Sequence, residues 1–189
     1  VAAPDKADKE ACKCYKMLQL LTSKPVLYVC NVDEDSAACG NEFSQKVAAM
    51  AEQEGAQSVV ISAEIESEVA QLESEEEKKD FLAALGLEET GLAKIIHAGY
   101  NLLGLQTYFT AGPKEVRAWT FVKGMKAPQC AGIIHSDFER GFIRAETISY
   151  DDYVKFGGEA GCRDAGKIRS EGKEYLVQDG DLMNFLFNV

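Results

Sequence analysis

Lys24-Pro25-Val26-Leu27-Tyr28-Val29-Cys30 is an apolar run of strand length, and it stops at Asn31-Val32-Asp33-Glu34. A helical pattern follows, and then a second apolar run, Ser58-Val59-Val60-Ile61, stops at Ser62-Ala63. A strand, a helix and a strand in this order predict a parallel pair with a right-handed crossover. Ligands of open α/β sheets bind just beyond the carboxyl ends of parallel strands. The chain is therefore predicted to be an α/β protein with a candidate ligand site where these two strands end.

The residues that follow the two strands are of the kinds that bind a purine base. Asn31 offers both a donor and an acceptor, and Glu34 offers a carboxylate acceptor. Many P-loop GTPases hold a purine with Asn-Lys-x-Asp after one strand and Ser-Ala after the next. Here Val32 and Glu34 replace the Lys and the Asp, and the longer acid is expected to weaken guanine preference. The alternative is that Asn31 to Glu34 is only a strand-to-helix cap, which Asn and Asp also favour.

Charge is distributed unevenly along the 189 residues, whose formal net charge is −11. Residues 1–104 hold 9 Lys or Arg and 19 Asp or Glu, whereas residues 105–189 hold 11 and 12. The acidic first part is expected to repel nucleic acid, so DNA is not a predicted partner. The nearly neutral second part is still compatible with RNA binding through a local basic patch.

Cysteine use and the chain ends predict a cytoplasmic protein. None of the six cysteines forms a C-x-x-C pair, and the polar residues 1–9 do not resemble a secretory signal. We therefore expect reduced cytoplasmic thiols. No apolar run approaches the roughly 20 residues of a membrane span, so no membrane partner is expected. A first residue of Val rather than Met fits a fragment or a processed chain.

Helical spacing predicts further elements in the first part. A helix capped by Asp35 or Ser36 is expected to run to about Glu54, where Gly55 ends it. Its predicted buried stripe is Phe43, Val47 and Met50. Other helices are predicted at 11–21, 64–71, 74–85 and 92–103, and Ser74 with Glu77 forms a capping box at the start of the third.

The pattern of predicted secondary structure changes at Gly104. Residues 105–110 and 115–123 predict a hairpin, residues 128–138 a helix and residues 142–148 a third strand. Gln178-Asp179-Gly180-Asp181 is a turn signal between the runs 175–177 and 182–187. A hairpin followed by a helix and further strands is the order of a β-grasp fold, so a second unit of this class is predicted after about residue 103.

Two segments match catalytic motifs in sequence but lack the surrounding residues or the geometry that catalysis needs. Gly161-Cys162-Arg163-Asp164-Ala165-Gly166-Lys167 matches the body of a Walker A loop, but Ile168 supplies no hydroxyl for Mg²⁺ and no apolar strand precedes it. We therefore interpret it as a helix followed by a Gly turn. His135 and Asp137, two apart in a predicted helix, are expected to point in different directions. His97 is expected to be packed or to cap a helix.

Basic side chains in the second part are candidates for contact with RNA or the ribosome, although an ordinary mixed surface, with several acids among them, is the commoner explanation. The aromatic pair Trp119 and Phe121 could stack bases, but a strand face packed under a helix is the commoner use. The basic candidates are Lys114, Arg117, Lys123, Lys126 and Arg144, with Arg140 nearby in sequence.

Several longer runs of residues carry a resemblance to a known family. The runs are Leu102-Leu103-Gly104-Leu105-Gln106-Thr107-Tyr108-Phe109-Thr110-Ala111-Gly112, Lys114-Glu115-Val116-Arg117-Ala118-Trp119-Thr120, Ala127-Pro128-Gln129, Asp137-Phe138-Glu139, Gly141-Phe142-Ile143-Arg144-Ala145-Glu146 and Val177-Gln178-Asp179-Gly180-Asp181. With Asn31-Val32-Asp33-Glu34, they make the chain from about Leu18 to Val189 resemble the Obg-like ATPases, the YchF family.

The resemblance implies a domain organisation. Residues 1–17 would be the partly disordered end of a helical insertion, and 18–103 the C-terminal part of a P-loop G domain. Residues 104–189 would be a TGS domain, a ubiquitin-like β-grasp fold. The family's own Walker A loop, switch residues and coiled coil are absent from the chain. No catalytic or metal-binding residue is therefore assigned, and we expect no hydrolysis by the chain alone.

The resemblance also implies ligands and partners. Asn31, Val32 and Glu34 match the family's Asn-x-x-Glu base-recognition motif, and Ser62 and Ala63 match the motif beside the base. ATP, or GTP, with Mg²⁺ would be the ligand of the full-length protein, and the ribosome or its RNA the partner. Two functions stay open: the C-terminal part of a ribosome-associated ATPase, or a non-catalytic TGS module that binds ribosome, RNA or protein.

Overall fold

The structure is a computed structural model that describes residues 3–5, 7–112 and 115–188. The chain divides into two compact units, Val1–Leu102 and Leu103–Val189. Both units combine helices with a sheet, so the mixed α/β class expected from the sequence is present. None of the helices in the described ranges has the length and apolarity that a membrane crossing requires.

The first unit is built around a parallel pair of strands. Its elements are α1 (Lys9–Met17), β1 (Leu27–Asn31), α2 (Glu42–Glu54), β2 (Gln57–Ile61), α3 (Ala63–Val69), α4 (Glu75–Ala84) and α5 (Gly91–Leu103). β1 and β2 pair in parallel from Leu27 opposite Gln57 to Asn31 opposite Ile61. This register brings the carboxyl ends of the two strands side by side, as the strand–helix–strand pattern predicts.

The helix between these strands begins later than predicted, because two caps compete for its start. The Asp33 side chain accepts a hydrogen bond from Ser36 N at 2.9 Å and closes only a short 3₁₀ turn, Glu34–Ser36. The Asn41 side chain then accepts bonds from Phe43 N and Ser44 N, both at 3.0 Å, and starts α2. At its other end α2 stops at Gly55, as predicted, with a left-handed φ of 68°.

The predicted buried stripe of α2 is wrong. Phe43 is 74% exposed and Met50 is 41% exposed, whereas the small residues Ser44 and Ala51 are buried. Val47 is half-buried. The buried row therefore lies one position further round the helix, where small side chains let α2 approach the strands closely.

The acidic helices pack as a separate cluster. The capping box predicted for α4 is present: Glu77 N donates to Ser74 Oγ at 3.1 Å, and Ser74 N donates to the Glu77 carboxylate at 3.2 Å. Ile65, Val69 and Leu82 are buried, and with Ala37 they form the core of this cluster. The acidic side chains of α4's first turn lie on its exposed face, as expected for a solvated helix.

The second unit is a five-stranded sheet with helices. Its elements are β3 (Leu105–Ala111), β4 (Val116–Val122), α6 (Ala127–Ile134), α7 (Ser136–Arg140), β5 (Phe142–Ser149), α8 (Tyr150–Lys155), α9 (Glu159–Asp164), β6 (Arg169–Glu171) and β7 (Asp181–Phe187). The strand order is β4-β3-β7-β5-β6. β3 pairs with β7 in parallel, and the other neighbours are antiparallel.

The main core of this unit lies between the sheet and α6. Tyr108 and Phe121 from the hairpin pack with Phe185 of β7 and with Ala127 and Ala131 of α6. The Tyr108 hydroxyl is buried and donates to the Cys130 carbonyl oxygen at 2.8 Å. This hydrogen bond links α6 to the sheet, so Tyr108 contributes both an apolar ring to the core and a polar contact between the two elements.

Two predicted elements of this unit differ in the structure. The helix predicted at 128–138 is two helices, because His135 has an extended backbone (φ −161°) and its Nδ1 accepts from Asp137 N at 3.2 Å as the cap of α7. The run 175–177 forms only an isolated bridge, Lys126 to Leu176, rather than a strand. The predicted turn at Asp179 and Gly180 is present.

The Walker-like segment is not a phosphate loop. Gly161 lies inside α9, and Gly166 has a left-handed φ of 65° just after this helix. The element that precedes α9 is α8, not a strand. The interpretation as a helix followed by a Gly turn is therefore confirmed.

A buried carboxylate holds the turn before β7. Asp181 is 3% exposed, and its carboxylate accepts from the Tyr175 hydroxyl at 2.7 Å and from Gln178 N at 2.9 Å. Arg169 of β6 donates to the other carboxylate oxygen at 3.1 Å. Burial, followed by the hydrogen bond to Asp181, raises the pKa of Tyr175 to about 12. The network joins β6, the turn and β7, and it leaves no charge buried without a partner.

Candidate functional site

The two predicted base-binding loops are joined by a hydrogen bond. Ala63 N donates to Asn31 Oδ1 at 2.9 Å, and Val32 N donates to the Ile61 carbonyl oxygen at 2.9 Å. Both bonds follow from the parallel register, which places Asn31 beside Ile61. The structure therefore brings Asn31, Val32 and Ala63 together at one edge of the sheet.

The bond to Ala63 also fixes the role of each atom of the Asn31 amide. A backbone N–H can only donate, so the atom that faces it is the oxygen. The nitrogen Nδ2 then remains as a donor on an exposed side chain. This donor complements the N7 acceptor, or a six-position carbonyl, of a purine.

Ser62 contributes a buried hydroxyl to the same edge. It occupies the N-cap position of α3 but makes no capping hydrogen bond, and it is 3% exposed. Its Oγ finds no hydrogen-bond partner among the described residues. A buried hydroxyl without a partner costs free energy, so Ser62 Oγ would gain a hydrogen bond if a rearrangement of this loop brought a polar group to it.

Glu34 lies in the 3₁₀ turn after β1 and is exposed. Its pKa is raised, first by partial loss of solvation and then by the carboxylates of Glu64, Glu68 and Asp35. This edge therefore carries negative potential. It suits the ring N–H and amino donors of a base better than it suits phosphate.

Glu66 is a supporting residue that the sequence analysis missed. Its carboxylate accepts from Gly91 N at 2.5 Å and from Leu92 N at 3.2 Å, at the start of α5. Gly91 also approaches β2 so closely that an added Cβ would lie 2.9 Å from the Ile61 side chain. Glu66 thereby anchors α3, the helix that begins at the Ser62-Ala63 loop. Its partners lie 25 and 26 residues away, so no local spacing could reveal it.

The basic candidates of the second unit are largely engaged in ion pairs. Lys126 lies 2.5 Å from the Glu174 carboxylate, and Arg144 lies 3.1 Å from that of Glu146. Arg117 lies over the Trp119 ring, 4.1 Å from its centroid, and 3.8 Å from Glu115. Lys123 has no side-chain partner among the described residues. Lys114 lies outside the described residues.

The aromatic candidates and the nearby arginine also serve the fold. Phe121 is 2% exposed in the core, and Trp119 is partly buried against it. The pair therefore packs on a strand face under a helix, which is the alternative to base stacking given in the sequence analysis. Arg140 pairs with Asp137.

The two histidines differ from expectation. His97 is exposed rather than packed, and its Nδ1 lies 3.1 Å from the Glu89 carboxylate. His135 and Asp137 do meet, with 3.5 Å between Nδ1 and Oδ2, because His135 precedes α7 instead of lying inside a helix. Among the described residues, no group of His, Cys, Asp and Glu is arranged to hold a metal ion. The six cysteines are all free thiols.

Comparison with known proteins finds sequence relatives of this chain. Residues 105–188 match the family model YchF-GTPase_C, described as a protein of unknown function (DUF933). The chain is 61% identical over 183 residues to the ribosome-binding ATPase YchF of Bacillus subtilis, covering 96% of this chain and 50% of that protein. It is 57% identical over 182 residues to the protein of the same name from Haemophilus ducreyi, again covering 96% and 50%.

A solved structure shows the same likeness. The chain superimposes on the Schizosaccharomyces pombe YchF GTPase with a TM-score of 0.78 and 37% identity, covering 93% of this chain and 47% of that one. The chain thus spans about half the length of the relatives it matches.

Proposed function

Because the chain belongs to the YchF family, we propose that it is the C-terminal half of a ribosome-binding ATPase, in which it supplies the base pocket. The whole protein would bind and hydrolyse ATP, with GTP as a second candidate substrate. The observation that carries the proposal is the hydrogen bond from Ala63 N to Asn31 Oδ1, which joins the two loops of the base motif.

The pocket would be formed by Asn31, Val32, Glu34, Ser62 and Ala63. The Asn31 amide nitrogen and the unpartnered Ser62 hydroxyl fit the polar edge of a base, and the carboxylates around Glu34 disfavour phosphate at this edge. The phosphates and Mg²⁺ would therefore be held by other parts of the full-length protein. Mg²⁺ supplies charge neutralisation for phosphoryl transfer when it is bound.

The proposed domain identities rest on the topology of each unit. The parallel pair β1 and β2 would be the C-terminal part of a P-loop G domain, within residues 18–103, after the end of a helical insertion at 1–17. In the second unit, the strands taken in chain order lie as 2-1-5-3-4 across the sheet. A hairpin, a helix and a parallel return strand in this order support a β-grasp TGS domain at 104–189. The relatives' name also supports ribosome binding, and hence a cytoplasmic location.

Removing the Asn31 amide tests the base pocket. In the full-length protein, Asn31→Ala is expected to weaken ATP binding by about 1–3 kcal/mol, because it orphans Ala63 N and a group on the base. The measurement is the dissociation constants of ATP and GTP by calorimetry. Asn101→Ala, at an exposed position of α5, is the matched control and is expected to leave both constants unchanged. Unchanged binding of both nucleotides by Asn31→Ala would contradict the assignment.

Ser62→Ala distinguishes a role in nucleotide binding from a purely structural role, because the two predict opposite changes in the stability of the nucleotide-free protein. If the hydroxyl contacts the nucleotide or a residue that binds it, the variant is expected to weaken nucleotide binding by about 1 kcal/mol. It is also expected to raise the stability of the nucleotide-free protein, since an unpartnered buried hydroxyl is removed. Thermal unfolding with and without ATP measures both effects. A variant that is less stable without nucleotide and binds ATP normally would show a purely structural hydroxyl.

A second candidate function is a binding module that acts without catalysis. The observation that favours it is the core of the second unit, whose described members around Tyr108 and Phe121 all lie between Tyr108 and Phe185. Ribosome binding by the full-length protein, compared with and without ATP, separates the two candidates. Dependence on ATP supports the ATPase cycle, and equal binding supports the module.

A further inference from the structure

The turn that precedes β7 borders an open pocket that combines aromatic rings with carboxylates. The pocket has a volume of about 320 Å³, which is the size of a small ligand site. Its lining residues belong to β3, to the junction of β5 with α8 and to the turn, and all of them lie in the second unit. They are Phe109, Ser149, Tyr150, Asp151, Asp179 and Gly180.

Hydrogen bonds hold the three segments around this pocket together. Gly180 N donates to the Thr107 carbonyl oxygen at 2.8 Å, and Tyr150 N donates to the Gly180 carbonyl oxygen at 3.1 Å. Thr107 N in turn donates to Asp179 Oδ1 at 2.7 Å. These bonds fix the backbone at Tyr150 and the carboxylate of Asp179 relative to the sheet. A ligand would therefore find the pocket largely preformed, which reduces the cost of ordering on binding.

Aromatic rings form one wall of the pocket. The ring centroids of Phe109 and Tyr150 lie 6.1 Å apart, with 38° between the ring planes. Phe109 packs against the buried cluster that contains Leu182, whereas Tyr150 is 54% exposed. Val154, one helical turn further along α8, is also exposed and extends the apolar surface. An exposed tyrosine face attracts cations, because its π-system carries negative charge.

Two carboxylates at this wall lack a cationic partner. Asp151 is exposed, and its side chain forms no hydrogen bond or ion pair with the described residues. Asp179 is exposed too, and across the part of the chain that the structure describes no Lys or Arg pairs with it. The start of α8 contributes a partial positive charge of only about one half, so the two carboxylates outweigh it. The pocket therefore presents negative potential beside an aromatic face.

The second unit already contains a guanidinium in surroundings of this kind. The Arg169 guanidinium lies 5.5 Å from the centroid of the Tyr175 ring and donates to the Asp181 carboxylate at 3.1 Å. The pocket offers the same two kinds of partner, a tyrosine ring and aspartate carboxylates, but no arginine of the described chain occupies it.

The chemistry of the pocket selects among ligands. Phosphate groups would be repelled by the two carboxylates. Among the described residues, no group of side chains is arranged to hold a metal ion. A guanidinium fits, because it is planar, its N–H donors can bond to two carboxylates, and its face can stack on a ring. Since the pocket is open to solvent, a polypeptide can present this group. We propose that the pocket binds an arginine side chain of a partner protein, with the guanidinium against Tyr150 and paired to Asp151 and Asp179.

Two peptides that differ in one group test the ligand. The probes are acetyl-Gly-Ser-Arg-Ser-Gly-amide and the same peptide with citrulline, which has nearly the shape of arginine but no charge. Nuclear magnetic resonance of the isotopically labelled chain is expected to show saturable shifts at Tyr150, Asp151 and Gly180. The arginine peptide is expected to bind with a dissociation constant on the order of 1–10 mM, and the citrulline peptide about tenfold more weakly. Equal binding of the two peptides, or no saturable shift up to about 30 mM arginine peptide, would overturn the proposal.

Charge removal tests the two carboxylates. Asp179→Asn keeps an oxygen that can accept from Thr107 N, so it changes the charge and preserves the turn. Asp179→Asn and Asp151→Asn are each expected to weaken binding of the arginine peptide about threefold, and the double variant about tenfold. Asp164→Asn, at the exposed end of α9 and outside the pocket, is the matched control and is expected to leave binding unchanged. Equal weakening by the control and the pocket variants would show general charge attraction and would overturn the site.

Two substitutions of Tyr150 test the aromatic face. Tyr150→Phe keeps the ring and is expected to bind the arginine peptide within about twofold of the original chain. Tyr150→Leu keeps an apolar side chain but removes the ring, and it is expected to weaken binding about threefold. Hydrogen exchange of the β7 amides checks that the sheet is intact in both variants. Unchanged binding by Tyr150→Leu with an intact sheet would contradict the proposed contact.

Discussion

Asp181→Ala is expected to destabilise the second unit by about 3 kcal/mol. The change removes the shared acceptor of the Tyr175 hydroxyl, Gln178 N and the Arg169 guanidinium. Removing one member of a buried, hydrogen-bonded charge pair costs about 3–5 kcal/mol, and the lower end applies because Arg169 is about half exposed. Hydrogen exchange of the β5 and β7 amides measures the free energy of opening of this sheet.

Two further variants define the cause of the effect. Asp181→Asn keeps the size and one acceptor oxygen, so it is expected to cost about half as much as Asp181→Ala. Asp164→Ala removes an exposed carboxylate at the end of α9 and is expected to change the stability by less than about 0.5 kcal/mol. If Asp181→Ala also cost less than 1 kcal/mol, the network would contribute little to holding the turn on the sheet.

Gly161→Ala is expected to destabilise the same unit by about 3 kcal/mol, although alanine favours helices. Gly161 lies in α9, where propensity alone predicts a gain of up to about 1 kcal/mol. An added Cβ, however, would overlap the Phe156 carbonyl oxygen and lie 2.9 Å from its carbonyl carbon. Backbone atoms cannot turn away as a side chain can, so α8 and α9 must separate. Hydrogen exchange of α9 amides measures the loss.

Gly99→Ala is the matched control for this prediction. Gly99 also lies inside a helix, α5, but no atom lies within 4 Å of an added Cβ. The substitution is expected to stabilise its unit by about 0.5–1 kcal/mol. Effects of the same sign in the two variants would show that propensity, and not the contact with Phe156, decides at Gly161.

Gly161 also explains how a nucleotide motif arises without a nucleotide site. The G-x-x-x-x-G-K letters are present because one glycine allows close packing of two short helices and the other adopts a left-handed turn. The sequence already contained the reason to reject the motif, since it shows no strand before Gly161 and no hydroxyl at Ile168. The contact with Phe156 could not be predicted, because it depends on how two helices cross.

Local signals predicted most of the fold. The β3–β4 hairpin follows from alternation, and the α4 capping box follows from the spacing of Ser74 and Glu77. The end of α2 follows from Gly55. Each of these depends on residues within a few positions of one another, so a single sequence is sufficient.

Features that depend on tertiary packing were not predictable. Phe43 and Met50 match a helical stripe yet remain exposed, because small residues face the strands. His135 breaks a helix that periodicity predicts as continuous, since its ring caps the next one. In the candidate site, the motif located Asn31 and Ala63, but their hydrogen bond spans 32 residues and requires the parallel register. Glu66 lacked any local signal for the same reason.

Trp119 is an intrinsic fluorescence probe of the second unit. It is the single tryptophan of the chain, and it lies in the second unit, stacked on Tyr108 with 13° between the rings. Its Nε1 donates to Thr110 Oγ1 at 2.9 Å, so its emission depends on the closed β3–β4 hairpin. Indole fluorescence therefore follows only the melting of the second unit, whereas far-ultraviolet circular dichroism follows both. The separation between the two denaturation curves measures how independently the two units fold.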